Sequence, residues 1–209
     1  MTYKLSPSKL NLMEECPRCF WLSVVKKIDR PSSPMASIVI KMDSIIKHYF
    51  DRYREKGELP PIVKDKVKGK LPNNMPKTLY HKENEQITLM GRPDDYLELE
   101  DGSIVPFDHK TKSKAPENTH HAYQLQIDIY SFLLKVNNYK TTNKGYLAYY
   151  YPDDCDLHIG MDIHCEVVEV EINPNRAIEL LQKAKQILNG STPDSSKECG
   201  FCKWKNETI

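Results

Sequence analysis

The sequence predicts an α/β fold in which helices flank a mixed central β-sheet. Three observations predict this class. Apolar residues recur at spacings of three and four in three long segments, and five shorter segments have the composition and flanking turns of strands. The two kinds of segment also follow one another along the chain. The expected order is two helices, three strands, one helix, two strands and one helix, followed by a tail that carries cysteines.

The helices have recognisable boundaries. Ser6 and Pro7 predict the start of the first helix, because serine caps a helix and proline fits its first turn. Gly57 and Pro60 close the second helix, since glycine adopts the backbone angles of a C-terminal cap and proline forbids continuation. The three longer helices are predicted at residues 36–53, 119–136 and 174–188.

The strands are predicted at residues 86–90, 96–100, 104–110, 145–151 and 165–172. Asp101 and Gly102 form a hairpin turn signal between the second and third of them, so these two strands are expected side by side. Residues 62–80 are rich in lysine and are predicted to be irregular.

Length and composition indicate one domain over residues 1–209. Hydrophobic residues are 39% and charged residues 28%, which excludes a disordered chain. No apolar run approaches the roughly 20 residues that span a bilayer, so no membrane association is expected. The first seven residues lack the apolar segment of a secretory signal. The expected location is therefore the cytoplasm, where thiols stay reduced.

The net charge of +1 conceals an asymmetry. Residues 1–80 carry a net charge of +8 and residues 81–209 carry −7. A basic half suits contact with a polyanion, and an acidic half suits metal binding. Ordinary charged helix surfaces are the alternative explanation.

Two carboxylates and a lysine concentrate on the predicted hairpin. Asp94 precedes Asp108 by 14 residues, and Lys110 shares a strand face with Asp108 because side chains alternate. Two carboxylates suit Mg²⁺ or Mn²⁺, and an ammonium can orient water or neutralise charge on a phosphodiester. The backbone carbonyl of His109 is a candidate third ligand.

An Asp-x-Lys pattern alone usually marks a solvated strand end. A catalytic role for the pattern is better supported here because Gln126 and Tyr130 follow on one face of a helix, where they could reach metal-bound water or DNA. Asp95 is a competing carboxylate, but alternation directs it to the opposite face. Spacing alone favours a structural role for His48, a lone histidine on an apolar helix.

These motifs resemble those of the PD-(D/E)XK nucleases, which have a restriction-endonuclease-like core. The similarity is greatest to the RecB-like branch that includes the CRISPR-adaptation exonuclease of the Cas-four type. One departure is that Asp108 stands where glutamate is commoner. The resemblance is carried by Gly-Arg-Pro-Asp at residues 91–94, Asp-His-Lys-Thr at 108–111, Gln126-x-x-x-Tyr130, Leu-Ser-Pro-Ser-Lys-Leu at 5–10 and Cys-Pro-Arg at 16–18.

The resemblance implies a role for each matching residue. The matching positions imply that Asp94 and Asp108 are metal ligands and that Lys110 is the catalytic lysine. They also imply that His48, on a helix, is a metal ligand. Gln126 and Tyr130 would be the helix pair of the catalytic site.

Two Cys-x-x-Cys pairs, at residues 16 and 19 and at residues 199 and 202, form a strong metal-binding signature. They predict a cysteine subregion made of residues 1–30 and 190–209. Incidental thiols and a disulfide are the alternatives, and a reducing compartment disfavours the disulfide. Four thiolates suit Zn²⁺ or an iron–sulfur cluster. The resemblance implies a [4Fe–4S] cluster, with Cys19 replacing the third C-terminal cysteine of that branch.

The expected function is a Mg²⁺- or Mn²⁺-dependent deoxyribonuclease acting on single-stranded DNA or DNA ends, as an exonuclease in preference to an endonuclease. Its expected setting is CRISPR adaptation or DNA repair and recombination, with any helicase as a separate partner. A non-catalytic DNA-binding or assembly module with the same fold is the main alternative. A small adaptor protein that is stabilised by zinc and has no role with nucleic acid is a weaker alternative.

Overall fold

Two β-sheets form the centre of the computed structural model, which describes residues 2–32 and 34–207. Its strands are β1 (Tyr3–Leu5), β2 (Leu79–Lys82), β3 (Ile87–Gly91), β4 (Asp95–Glu98), β5 (Ile104–Thr111), β6 (Lys144–Pro152) and β7 (Ile163–Glu171). One sheet has the order β1-β3-β2, with β1 parallel and β2 antiparallel to β3. The other has the order β4-β5-β6-β7, in which β5 and β6 are parallel and the outer pairs are antiparallel.

Helices cover both sheets. They are α1 (Pro7–Glu15), α2 (Pro17–Trp21), α3 (Ser37–Arg54), α4 (Pro61–Lys64), α5 (His121–Val136), α6 (Arg176–Asn189) and α7 (Gly200–Glu207), with a π-helical turn at Leu22–Lys26. The Ser6 hydroxyl accepts a hydrogen bond from the Lys9 backbone N–H at 3.3 Å, so it caps α1 as predicted. Helix α5 makes the crossover that parallel β5 and β6 require.

Strand β5 separates two environments because its side chains alternate. Phe107 and His109 face α3, where the Phe50 ring lies 5.9 Å and 4.4 Å from their ring centroids. Asp108 and Lys110 point the other way, toward α5. The strand therefore presents a packed aromatic face to one helix and a polar face to the other.

The largest apolar cluster joins α1, α5 and α6 to the three-stranded sheet. Leu10, Leu89, Leu133 and Leu181 belong to it and are almost completely buried. Burial of each such side chain stabilises the fold by about 1.5–3 kcal/mol. Helix α5 is thereby fixed against the sheet on one side of the catalytic candidates.

The predicted α/β class, the three long helices and the five predicted strands are confirmed with small shifts at their ends. Strands β1 and β2 and helices α4 and α7 were not predicted, and residues 62–80 are not wholly irregular. Three- and four-residue elements are too short to show a period, and β1 exists through its pairing with β3. The sheet is divided in two where the chain turns between β3 and β4.

No helix in the described ranges is long and apolar enough to cross a bilayer.

Candidate active site and cysteine site

The candidate active site is built around the corner where the chain leaves β3 and enters β4. Pro93 lies in this corner, and it has no N–H with which to continue a strand ladder. Asp94 follows it, and Asp94 Oδ2 accepts a hydrogen bond from the His109 backbone N–H at 3.1 Å. The corner thus places the first predicted carboxylate beside β5.

Asp108 is the most deeply buried carboxylate of this site, with 1% of its surface exposed. Its Oδ2 forms an ion pair with Lys110 Nζ. Apart from that ion pair, Oδ2 receives no hydrogen bond from any residue the structure describes. Burial raises the pKa of Asp108 to about 6, the charge of Lys110 opposes the rise, and the charge of Asp94 adds to it.

These carboxylates fit a divalent cation. Asp94 is close enough to Asp108 to disfavour a second negative charge, and a cation between them removes that repulsion. Among the described residues, the ion pair with Lys110 is the polar contact of the buried Asp108 Oδ2, which leaves this oxygen able to bind a cation. Hard oxygen donors of this kind are those that Mg²⁺ and Mn²⁺ prefer.

The Gln126 side chain connects the parts of the site. Its Oε1 accepts a hydrogen bond from Lys110 Nζ at 2.8 Å, and its Nε2 donates to Asp108 Oδ1 at 3.2 Å. The same Nε2 donates to the Tyr130 hydroxyl at 2.7 Å. One amide therefore holds the lysine, the carboxylate and the tyrosine in a fixed arrangement.

Tyr130 extends this network to the corner. Its hydroxyl donates to the Arg92 backbone carbonyl at 3.0 Å. Burial raises the pKa of Tyr130 above its ordinary value, and the charge of Asp108 adds to the rise, so the hydroxyl remains a donor. The residues that position Asp94 and those that position Asp108 thus share one hydrogen-bonded chain.

Gly91 allows this close approach of the corner to α5. A Cβ at this position would lie 2.5 Å from Leu133 Cδ1 and 3.0 Å from Tyr130 Cδ1. Both neighbours are buried, so neither can move away freely. A glycine is needed at position 91 because the side chains of Leu133 and Tyr130 occupy the space that a Cβ would take.

We expect Gly91→Ala to destabilise the protein by about 1–3 kcal/mol, because overpacking displaces buried side chains. It should also displace Tyr130 and so disturb Gln126. Chemical denaturation measures the first effect. Gly190→Ala is the matched control, since a Cβ there meets its nearest atom at 3.5 Å. Equal stability of the two variants would show that a Cβ at position 91 does not overpack the site.

The opposite face of the same strands carries a second polar group. Asp95 forms an ion pair with Arg54 and lies 2.9 Å from His109 Nε2. The other ring nitrogen of His109 lies 3.2 Å from the Tyr150 hydroxyl. The His109 ring therefore faces away from Asp108, as alternation requires, and only its backbone is placed to serve the candidate metal site. Asp95 is on the opposite face, as the sequence predicts.

His48 lies on the exposed side of α3. Its Nδ1 is 2.7 Å from the Ser44 backbone carbonyl one turn earlier. A carbonyl only accepts, so in a neutral ring Nδ1 carries the proton and Nε2 keeps its lone pair. Among the described residues, His48 is not part of the lining of the groove at Asp94.

A polar groove of about 300 Å³ opens beside Asp94, between α3, residues 72–77 and residues 92–96. The basic side chains that line it are Lys47, Arg54, Lys77 and Arg92. The Lys47 ammonium is hydrogen-bonded to Asp43, and that bond together with the charge of Asp94 raises its pKa. Sequence reasoning missed this groove, although the basic character of residues 1–80 and the arginine inside the corner motif pointed toward it.

The four outer cysteines come together as predicted. Cys16 and Cys19 belong to the N-terminal pair, Cys199 and Cys202 to the C-terminal pair, and all four Sγ atoms lie within 4.8 Å of one another. Cys16, Cys19 and Cys199 are buried. The arrangement is a candidate metal site that joins the two ends of the fold.

Two donors point at these sulfurs. Arg30 Nη2 lies 3.5 Å from Cys199 Sγ, and the Ser196 backbone N–H donates to Cys16 Sγ at 3.5 Å. Arg30 is itself held by Glu15 at 2.5 Å and by the Phe201 ring, 4.8 Å from its centroid. A guanidinium and an N–H aimed at sulfur fit thiolates, whose negative charge they compensate.

Comparison with known proteins gives a family. The family model described as the PD-(D/E)XK nuclease superfamily matches residues 42–206. Among curated proteins, none matches the chain.

The chain is similar to several solved structures at low sequence identity. A crystal structure of SSO0001 has a TM-score of 0.47 and 15% identity, covering 97% of this chain and 84% of that one. LHK-Exo in complex with dAMP has a TM-score of 0.44 and 13% identity, with 88% and 86% covered. The alkaline exonuclease LHK-Exo from Laribacter hongkongensis has a TM-score of 0.42 and 12% identity, with 98% and 93% covered.

Proposed function

The chain belongs to the PD-(D/E)XK nuclease superfamily, and on this basis we propose that it is a metal-dependent deoxyribonuclease that hydrolyses phosphodiester bonds. One observation carries the proposal. Asp108, Lys110 and Gln126 are in mutual contact, and Asp94 is placed beside them by the corner before β4.

Each residue has a proposed task. Asp94 and Asp108 would hold the catalytic Mg²⁺ or Mn²⁺, which would supply charge neutralisation at the phosphate and activation of water. Lys110 orients the attacking water and neutralises negative charge that develops on the phosphate. Gln126 holds the Lys110 and Asp108 side chains in a fixed relative position. Tyr130 holds Gln126 in turn, through a hydroxyl that is also bonded to the Arg92 carbonyl.

Two further ligands complete the proposed metal site. The backbone carbonyl of His109 follows Asp108 directly, on the strand whose N–H holds Asp94. His48 keeps a lone pair on Nε2, and its neighbour Lys47 lines the groove beside Asp94. The proposal of His48 as a ligand rests on the motif resemblance.

The groove supports DNA as the substrate. Four basic side chains line it together with the carboxylates of Asp51, Asp94 and Asp95. Of the basic side chains, Lys47 is paired with Asp43 and Arg54 with Asp51 and Asp95, so we propose that Lys77 and Arg92 attract the phosphates. We propose single-stranded DNA or DNA ends as the substrate. Exonuclease action, membership of the RecB-like branch and a role in CRISPR adaptation or DNA repair rest on the motif resemblance, as does a helicase partner. A cytoplasmic location fits the free cysteines.

The test is hydrolysis of end-labelled single-stranded DNA with Mg²⁺, with Mn²⁺ or with EDTA. We expect cleavage with either metal and none with EDTA. A circular strand of the same sequence separates exonuclease from endonuclease, because it has no ends. DNA binding without hydrolysis by the folded protein would favour the non-catalytic module, and the absence of both would favour the adaptor.

We expect the affinity for Mn²⁺ to weaken as the pH falls below about 6, by about tenfold per pH unit, because a proton then competes for Asp108. Titration calorimetry at pH 5, 6 and 7 without DNA measures this dependence. Asp108→Asn should bind weakly at every pH. An affinity for the wild-type protein that is constant over this range would contradict the assignment of Asp108 as a ligand.

A further inference from the structure

The distances between the cysteine sulfurs limit what the site can hold. Cys19 Sγ lies 3.6 Å from both Cys199 Sγ and Cys202 Sγ, and Cys16 Sγ lies 3.9 Å from Cys202 Sγ. No pair among the four sulfurs is further apart than 4.8 Å. Each N-terminal sulfur therefore contacts a C-terminal one directly.

These distances match four thiolates that share one ion. With a metal–sulfur bond of about 2.3 Å, the sulfurs of a regular tetrahedron are about 3.8 Å apart. The contacts of 3.6 to 3.9 Å lie on either side of that value. The other three pairs are also within 4.8 Å, so the four sulfurs are grouped as closely as the ligands of one ion.

They do not match an iron–sulfur cluster. In a [4Fe–4S] cluster each thiolate binds a different iron, and its sulfur lies outside the body of irons and sulfides. Four sulfurs within 4.8 Å of one another cannot enclose eight further atoms. A two-iron cluster fails for the same reason, because the thiolates on its two irons are separated by the irons and the bridging sulfides.

We infer that the four cysteines bind a single tetrahedral zinc ion instead of the iron–sulfur cluster that the motif resemblance implies. Zinc forms closed Cys₄ sites of this kind, with two short Cys-x-x-Cys ligand pairs. A single ferrous ion would have similar geometry, but zinc binds a given set of ligands more tightly than ferrous iron does.

The surroundings of the sulfurs suit this assignment. Four thiolates and one Zn²⁺ carry a net charge of −2, and the Arg30 guanidinium beside Cys199 offsets part of it. The Ser196 N–H at Cys16 supplies a second donor. Such outer contacts orient ligands and stabilise their charge. The two remaining cysteines, Cys155 and Cys165, are not part of the group.

The test uses the full chain prepared without oxygen, from cells supplied with both iron and zinc. Zinc, iron and acid-labile sulfide are measured per chain, and the visible absorption spectrum is recorded. We expect about one zinc, no sulfide and no visible absorption band. Four irons with sulfide would overturn the inference, and one iron without sulfide would overturn the choice of zinc.

Zinc that has displaced a cluster during preparation is detected by reconstitution. The metal-free protein is offered ferrous iron and sulfide without oxygen, and in parallel Co²⁺ as a spectroscopic substitute for zinc. We expect one equivalent of Co²⁺ with the absorption of a tetrahedral thiolate site and no stable cluster. Formation of a stable cluster, or failure to bind Co²⁺ in this geometry, would contradict the inference.

A thiol titration keeps the test valid if cysteine variants do not fold. A mercurial reagent added to the wild-type protein should release one zinc as the four thiols of the site react, and the exposed Cys155 accounts for one further thiol. Cys155→Ser is the matched control and should retain the metal, because Cys155 is exposed and outside the site. Zinc content is measured without DNA or Mg²⁺. The result of this measurement therefore does not depend on whether the chain cleaves DNA.

Discussion

Replacing Lys110 with alanine should reduce the rate of DNA hydrolysis by a factor of about 1000 while DNA binding persists. The ammonium contacts Asp108 and Gln126 inside the site, and no other lysine in the described ranges forms an ion pair with Asp108. Its loss removes the group that we propose orients water and neutralises the phosphate, but leaves the residues that line the groove unchanged. Single-turnover cleavage and fluorescence anisotropy with labelled single-stranded DNA measure the two properties separately.

Lys112→Ala is the matched control. The Lys110 and Lys112 ammonium groups lie 4.7 Å and 5.0 Å from the centroid of the same Tyr123 ring, but Lys112 does not contact Asp108 in the structure. We expect the control to retain most of the activity. Similar losses in both variants would indicate that general charge, and not the position of Lys110, matters. Because Lys110→Ala leaves Asp108 without its ion-pair partner, melting temperatures should be measured for both variants.

Cys199→Ser should release the metal at the cysteine site and lower the melting temperature by about 10 °C or more. Cys199 is buried against Cys19, and the four cysteines join the N-terminal segment to the segment that includes α7. A serine hydroxyl is a poor substitute for a thiolate in a Cys₄ site. Metal analysis and differential scanning calorimetry measure the two effects.

Cys155→Ser changes an exposed thiol outside the site and should leave both properties unchanged. If Cys199→Ser melted at the wild-type temperature with its metal retained, the cysteines would not be a structural link. If the metal were lost without a change in melting, the link would be dispensable for stability. The second outcome would shift attention to a role for the site in placing DNA.

The polar face of β5 could be predicted because it depends on local rules. Alternation places Asp108 and Lys110 together and sends Asp95 to the other face, and helical spacing aligns Gln126 with Tyr130. The hairpin at residues 101–102 brings β4 beside β5. Each of these inferences uses separations of a few residues, which a sequence shows directly.

Contacts between distant segments could not be predicted in the same way. The hydrogen bond from Tyr130 to the Arg92 carbonyl depends on how α5 packs against the corner, and the space for it depends on Gly91. The groove is assembled from three separate segments. The three-stranded sheet includes β1 through its pairing with β3, and a three-residue strand has no sequence pattern that indicates a partner more than 80 residues away.

The sulfur distances also show what motif resemblance leaves open. Two Cys-x-x-Cys pairs predict that a metal is bound, but their spacing is the same for a single ion and for a cluster. The choice depends on how closely the two pairs approach in the fold, which the packing of α7 against α2 determines.

The long separation between the cysteine pairs sets an order of events during synthesis. Cys16 and Cys202 are 186 residues apart, so at about 5–20 residues per second the first pair waits for about 10 to 40 seconds before its partners are made. During that interval the thiols of Cys16, between α1 and α2, and Cys19, in α2, are available to oxidants and to competing ions. Chains that end before residue 202 lack at least one of the four cysteines, so an ion bound by all four shows that synthesis has passed residue 202.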